Sequence, residues 1–256
     1  MGLFSFLIPA SRRPGTCRAA DPQGRKRVVA VPDLLAPGRA TEVRVTRNPR
    51  AKRISLRVDP ADGAVALTVP WHVPVEEGLR FAKRQSDWLR ARLEAVPDAT
   101  PFADGAEFAL LGARVRVRHD GKGPAELVDG VLTVGGAREF VPRRVRDFLK
   151  AEARRVLTAK SREIAARLGK TVKSVRIADP KSRWGSAARD GRLSFSWRLV
   201  LAPEFVCDYV VAHEVAHLAH MDHGPRFWAT VESLYGDPAR AKTWLAANGT
   251  ALHRHG

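Results

Sequence analysis

Residues 210–228 of this 256-residue chain read VVAHEVAHLAHMDHGPRFW, and this stretch decides the expected fold and chemistry. An α-helix turns once every ~3.6 residues, so His213 and His217 would project from one face and could bind a single metal ion. Glu214 would lie beside the first histidine, where it can take a proton from a water molecule instead of binding the metal. The alternative is a chance occurrence of the pattern.

The residues around the pattern favour a buried helix over 203–220. Pro203 and Glu204 are typical of a helix start. An apolar face follows at helical spacing, formed by Phe205, Val206, Tyr209, Val210, Ala212 and Ala216. A buried helix has little reason to carry two histidines and a glutamate unless a partner compensates for their burial. The context therefore favours metal binding over chance.

Three residues compete as the third metal ligand. His220 returns to the face of His213 on an unbroken helix, but the two backbones would be about 10 Å apart. His223 stands before the pair Gly224–Pro225, which breaks a helix and allows the chain to turn back toward the metal. Glu232 is simpler to interpret as a polar residue of an amphipathic helix. His223 is therefore favoured, and His220 is interpreted as solvated or as supporting a ligand.

The segment upstream is expected to supply a strand and a loop beside the metal. Residues 193–200 favour a strand, and residues 179–186 favour an irregular connection before it. In that connection Lys181 or Arg183 could hold a developing oxyanion, and Trp184 could wall the cleft. The alternative is structural, with Trp184 filling the core and Arg183 forming an ion pair.

The metal pattern and the preceding DPKSRWGSAARDGRLSFSWRLVLAPEFVCDYVVAHE (residues 179–214) strongly resemble the YgjP-like metallopeptidase family of metal-dependent hydrolases. The likeness is densest over about residues 175–228 and weaker over residues 45–70, VTRNPRAKRISLRVDPADGAVALTVP. The piece HGPRF is also similar to the SprT-like proteases, whose third zinc histidine lies in a similar His-Gly-Pro-x-Phe.

Carried over by position, the resemblance makes His213, His217 and His223 the metal ligands and Glu214 the general base. The family often has a cysteine after Trp-Gly-Ser, where this chain has Ala187, so no cysteine-dependent role is expected there. The implied fold class is α+β, with an N-terminal β-rich region followed by a zincin-like metallopeptidase domain. In that domain the HExxH helix packs on a small sheet.

The expected chemistry is peptide hydrolysis assisted by one zinc ion per chain. Three neutral imidazoles leave a fourth zinc position for water, whose proton Glu214 accepts and passes to the leaving amine. A metal-dependent amidase acting on a non-protein substrate would use the same residues. A structural zinc would need a fourth protein ligand, and Cys207, earlier on the helix that carries His213, is not placed to provide one.

Basic residues far outnumber acidic ones, 44 against 27, and the formal net charge of +17 would attract nucleic acid. Two groups stand out: Arg44, Arg47, Arg50, Lys52, Arg53 and Arg57, then Arg143, Arg144, Arg146, Lys150, Arg154 and Arg155. Solvated faces of an arginine-rich sequence are the alternative. Beside a protein or peptide substrate, non-specific nucleic acid therefore stays open as a partner, as does a nucleic-acid-associated protease of the SprT-like type.

Other features favour a cytoplasmic protein without a membrane partner. Cys17 and Cys207 lie far apart and form no disulfide framework. No apolar stretch is long enough to cross a membrane. Three regions are expected: a flexible basic tail over 1–40, a β-rich region over 41–138, and the metallopeptidase domain over 139–256. The β-rich region should contain a hairpin-like pair of strands over residues 53–58 and 64–69.

Overall fold

The computed structural model describes residues 6–9, 26–59, 63–94, 96, 98–180 and 183–256. The chain divides into two compact units, residues 1–97 and 98–256. This boundary lies well before the one expected at residue 138. The reason is packing, because strands that follow residue 98 share one hydrophobic core with the helix that carries His213.

Among its described residues, the first unit contains a five-stranded sheet and two helices. Its elements are β1 (Phe6–Pro9), β2 (Lys26–Pro32), β3 (Ala40–Asn48), β4 (Arg53–Val58), β5 (Val65–Pro70), α1 (Val75–Arg84) and α2 (Ser86–Glu94). The strand order is β1-β4-β5-β3-β2. β4 and β5 pair antiparallel, which confirms the expected hairpin, whereas β3 and β5 pair in parallel.

One face of this sheet forms the core of the first unit. Alternate strand residues, such as Leu56 on β4 and Leu67 on β5, are fully buried and pack with Phe81 of α1 and Leu89 of α2. α1 lies so close to the sheet that a Cβ on Gly78 would come within 2.6 Å of Val69. The helices therefore cover one face, and the residues between the buried positions point to the other.

Part of the region expected as a tail is ordered strand. β2 lies inside residues 1–40 and pairs along its length with β3. Its Val31 is only 3% exposed and joins the core, so hydrophobic burial holds this strand to the sheet. Residues 1–5 and 10–25, the rest of the expected tail before β2, lie outside the described residues.

The second unit combines two sheets with four helices among its described residues. Its elements are β6 (Glu107–Leu110), β7 (Ala113–His119), β8 (Glu126–Val128), β9 (Val131–Val134), α3 (Val141–Arg167), β10 (Ser174–Ala178), β11 (Gly185–Ala187), β12 (Arg192–Ser196), α4 (Glu204–Ala216), α5 (Pro225–Tyr235) and α6 (Ala239–Leu252). The sheets have the orders β6-β7-β9-β8 and β10-β12-β11. Leu149 of α3, Phe195 of β12 and Val211 of α4 are fully buried in one core. The chain is therefore α+β, as expected.

The strand expected over 193–200 ends earlier, because β12 stops at Ser196 and residues 197–201 form a 3-10 turn. The hydroxyl of Ser196 accepts a hydrogen bond from the backbone N–H of Arg198 and so caps this turn. Trp197, Leu199 and Val200 are all fully buried. Apolar residues that alternate with Ser194, Ser196 and Arg198 predict a strand over 193–200, but tertiary packing makes residues 197–201 a turn.

Arg198 is a buried cation that sequence reasoning missed. Its guanidinium donates to the Asp179 carboxylate at 2.9 Å and to the backbone carbonyls of Leu252, at 3.0 Å, and His255. It also lies 4.4 Å from the centre of the Trp197 ring. One side chain therefore joins the residue after β10 to the last residue of α6 and to the segment that follows it. Its several acceptors compensate for burying its charge.

None of the helices in the described ranges has the length and apolar composition needed to cross a bilayer.

Cys207 is fully buried on α4, and its thiol donates to the Leu199 carbonyl at 2.9 Å. Burial raises the pKa of this thiol to about 12, so it stays protonated and serves as a packing residue. Cys17 lies outside the described residues.

Candidate metal centre

Helix α4 carries the first two histidines and then stops. It begins at Glu204, as expected from Pro203, but ends at Ala216 and does not reach His220. The backbone N–H of His220 still bonds to the Ala216 carbonyl at 3.0 Å, so the chain closes one last turn before it leaves the helix axis. His213 and His217 thus keep helical spacing, while the residues after His220 are free to change direction.

The change of direction brings three imidazoles together. The Nε2 atoms of His213 and His223 are 3.2 Å apart, and the ligand nitrogens of His213, His217 and His223 all lie within 4.8 Å of one another. Tetrahedral zinc with Zn–N bonds of about 2.0–2.1 Å would separate two ligand nitrogens by about 3.3 Å. The side chains of His220 and Glu232 are not in this group, which was identified among the described residues.

The protonation states of the histidines suit metal binding. The Nδ1 of His217 lies 3.0 Å from the carbonyl oxygen of His220, which can only accept, so Nδ1 carries the proton and Nε2 keeps its lone pair. Burial lowers the pKa of His213 to about 4, and the nearby His217, His223 and Lys242 act in the same direction. Burial also lowers the pKa of His217. Neutral rings with converging nitrogens fit a divalent transition metal.

Phe227 holds the three rings in place. It is fully buried, and its ring centre lies 4.9 Å from that of His213, 4.5 Å from His217 and 4.7 Å from His223. Phe227 lies in the first turn of α5, which begins at Pro225 of the helix-breaking Gly224–Pro225 pair. Its role was not predicted, although its place in the motif HGPRF was a signal that could have revealed it. A rigid aromatic contact limits the rotamers that the three imidazoles can adopt.

Glu214 is buried against the backbone of β11. The residue is 6% exposed. A Cβ built on Gly185 would lie 2.5 Å from Oε1 and 2.6 Å from Cγ of Glu214, so only glycine allows this close approach. Gly185 belongs to the Trp-Gly-Ser motif, but its contact with Glu214 was not predicted. The short strand therefore shapes the space in which the carboxylate lies.

The surroundings of Glu214 shift its proton affinity. Burial raises the pKa of the Glu214 carboxyl to about 7, and the positive charge of Arg183 opposes this rise. Arg183 itself is exposed on the residues that lead into β11. A carboxyl with a pKa near neutrality can both accept and release a proton at physiological pH.

The remaining predicted site residues have different surroundings. Trp184 stacks on His253, with ring centres 4.9 Å apart, and a Cβ on Gly249 of α6 would lie 3.2 Å from its ring. These contacts are those of a packing residue, which corresponds to the structural alternative raised for Trp184. Lys181 lies outside the described residues.

Converging imidazoles beside a buried carboxylate are the parts of a metal-dependent hydrolase. A family model described as YgjP-like, metallopeptidase domain, matches residues 52–248. The chain therefore belongs to the YgjP-like metallopeptidase family, which confirms the resemblance found in its sequence. It is accordingly a metal-dependent hydrolase.

Among solved structures, the crystal structure of the metallopeptidase zymogen of Pyrococcus abyssi abylysin matches this chain with 24% identity and a TM-score of 0.33. The match covers 39% of this chain and 97% of the other. Comparison with curated proteins finds none with significant similarity.

Removal of single histidines tests the ligand set. We expect His213→Ala or His217→Ala to abolish stoichiometric zinc binding and His223→Ala to weaken it strongly. The matched control is His220→Ala, which should leave zinc nearly intact because His220 contributes its backbone carbonyl. Elemental analysis of the purified variants measures this. Full zinc retention in His223→Ala would move the third ligand elsewhere.

A double-mutant cycle tests the contact between Gly185 and Glu214 without any activity assay. Gly185→Ala adds a methyl group where the Glu214 side chain lies, and we expect it to lower the free energy of unfolding by about 1–3 kcal/mol. In a Glu214→Ala background most of this loss should vanish, because the space is empty. Urea unfolding of the metal-free proteins measures both. Equal losses in the two backgrounds would show that the residues do not interact, and Ser186→Ala, one residue along β11, is the uncoupled control.

Proposed function

We propose that this chain is a zinc-dependent peptidase in which His213, His217 and His223 hold the metal and Glu214 is the general base. The observation that carries the proposal is the group of three imidazole nitrogens within 4.8 Å of one another, next to a buried glutamate. When bound, zinc supplies Lewis-acid polarisation of the scissile carbonyl and lowers the pKa of water. An all-imidazole donor set suits zinc better than magnesium or calcium, which prefer oxygen ligands.

Glu214 moves the proton in this proposal. It follows His213 directly on α4, and its carboxylate is enclosed by the helix and Gly185. From that position the carboxylate accepts the proton of the attacking water and then delivers it to the leaving amine. Enclosure keeps bulk water from competing for the same carboxylate oxygens.

A catalytic site is favoured over a structural one by the ligand count. The group around the three histidines contains no cysteine or carboxylate from the described residues that would act as a fourth ligand. Structural zinc sites are closed by four protein ligands, whereas catalytic sites keep one position open. The thiol of Cys207 instead donates a hydrogen bond to the backbone carbonyl of Leu199 inside the core.

The substrate proposed is a peptide in extended conformation. β11 pairs with β12 on one side and is the edge strand of the sheet β10-β12-β11. Its other edge offers backbone groups that an extended peptide can pair with, which a small amide cannot do over the same length. A helix with its metal ligands beside a sheet edge is the zincin-like arrangement, and it favours peptide hydrolysis over the amidase alternative.

Arg183 is the proposed contact for the developing oxyanion. It is exposed, it stands two residues before Gly185, and its charge acts on Glu214. A guanidinium at this position donates hydrogen bonds to negative charge that forms near the general base. Lys181 stays an expectation from sequence for the same role.

Replacing Glu214 separates metal binding from chemistry. Glu214→Gln should keep zinc and fold but lose about a hundredfold to ten-thousandfold in hydrolysis, because the amide cannot accept a proton. The rate is measured on a panel of unfolded proteins with zinc-loaded enzyme, and zinc is quantified in the same samples. Glu232→Gln, at an exposed glutamate of α5, is the matched control and should be fully active. Hydrolysis at the wild-type rate by zinc-loaded Glu214→Gln would refute the proposed role of this residue.

A further inference from the structure

The face of the first unit's sheet opposite helices α1 and α2 carries a basic trough. Register places three residues in one row across the strands, with Arg57 of β4 and Arg44 of β3 both opposite Ala66 of β5. The next row contains Ser55, Thr68 and Thr46 on the same three strands. We call Arg44, Arg53 and Arg57 the rims of this trough and Ser55, Thr46, Ala66 and Thr68 its floor.

The rims and the floor differ in size and exposure. The three rim arginines are exposed, whereas the floor residues are small and half-buried. Neighbouring strands lie about 4.8 Å apart, so the backbones of Arg44 and Arg57 are about 10 Å apart across β5. Arg53 extends the β4 rim by about 13 Å from Arg57. The guanidinium groups therefore rise on both sides of a floor of hydroxyl and methyl groups.

Not all of the early basic residues join the trough. Arg47 lies 4.6 Å from the centre of the Trp71 ring, donates to the Trp71 carbonyl, and buries its Nε. Arg50 and Lys52 are exposed on the connection between β3 and β4, at the end of the sheet. The structure thus separates the basic group of the sequence into a packed arginine, a basic connection and a basic sheet face.

The chemistry of the trough selects its partner. Arginines and hydroxyl groups are the side chains that most often contact phosphates. The floor has no aromatic residue on which bases could stack, so the trough cannot recognise a base sequence by stacking. We propose that the basic trough binds the phosphodiester backbone of nucleic acid without sequence preference. This proposal does not depend on the peptidase function or on the metal centre.

Other occupants fit the surface less well. A protein partner would need large apolar or aromatic anchors, and a bilayer would need apolar side chains that insert. Val28, 62% exposed beside Arg44 on the β2 side, is the large apolar residue of this row. Acidic residues also occur on this face, namely Glu42, two residues before Arg44 on β3, and Asp59, two residues after Arg57 and opposite Ala64.

Salt-dependent DNA binding tests the proposal. Fluorescence anisotropy with a labelled 20-base-pair duplex of mixed sequence is recorded on the full chain at several salt concentrations between ~50 and ~200 mM. Each phosphate contact contributes about 0.9 to the slope of log affinity against log salt. The triple variant Arg44→Gln, Arg53→Gln, Arg57→Gln should lower this slope by about 2 to 3 and weaken binding at low salt by about tenfold or more. A duplex of unrelated sequence should bind equally well.

A matched control separates this face from net charge. Lys150→Gln, Arg154→Gln and Arg162→Gln together remove the same charge from exposed positions of α3. We expect that variant to retain most of the slope and affinity. An equal loss in both triple variants, no binding at low salt, or displacement of DNA by polyglutamate at equal charge concentration would overturn the proposal. Equal binding to anionic vesicles that depends on the same arginines would overturn it too.

A second variant distinguishes loss of DNA binding from loss of folding. Ser55→Glu places a carboxylate in the floor between Arg53 and Arg57 and removes no packing group from the core face. It should repel phosphate and reduce affinity by about tenfold, while thermal unfolding and zinc content stay at wild-type values. Unchanged DNA affinity in a folded Ser55→Glu protein would contradict the proposal.

Discussion

The metal centre depends on where one helix stops. Two imidazoles one turn apart on α4 can share a metal, but a third can reach it only if the chain leaves the helix axis before His223. The last turn closes through the bond from the backbone N–H of His220 to the Ala216 carbonyl. The Nδ1 of His217 donates to the His220 carbonyl, which fixes the proton on that ring. Phe227 then packs against all three imidazoles. A continuous helix would satisfy the backbone equally well and would leave no metal centre.

Burial of Glu214 is the second constraint. It lowers the stability of the fold, because a charged carboxylate loses solvation, but it shifts the pKa of the carboxyl toward the value that a general base needs. Glu214 is 6% exposed as a residue, so its carboxyl loses solvation, and this loss raises the pKa of the carboxyl. Apolar side chains of α4 that are fully buried in the core of the second unit, such as Val211 and Val215, offset the free energy lost by burying the carboxyl. Gly185 completes the arrangement because it brings a backbone, not a side chain, against the carboxylate. Groups under such constraints cluster at functional sites.

Local sequence signals predicted the parts of the site that depend on local geometry. Helical spacing predicts that His213 and His217 lie on one face of a helix. The helix-breaking pair after His223 indicates that the chain turns back toward that face. The contacts of Gly185 and Phe227 were not predicted, because they join segments that meet only in the folded core. The same reason explains the unit boundary after residue 97, since hydrophobic residues near 108–134 do not show by themselves which core they join.

X-ray absorption at the zinc edge of the purified, zinc-loaded chain is the sharpest test of the ligand set, because it reports the number, type and distance of the atoms bound to the metal. We expect one zinc per chain, bound by three imidazole nitrogens at about 2.0–2.1 Å and one oxygen atom from outside the protein. Loss of one imidazole from this pattern in His223→Ala would identify the third ligand. A sulfur ligand, or a site closed by four protein ligands, would contradict an open catalytic centre on these three histidines.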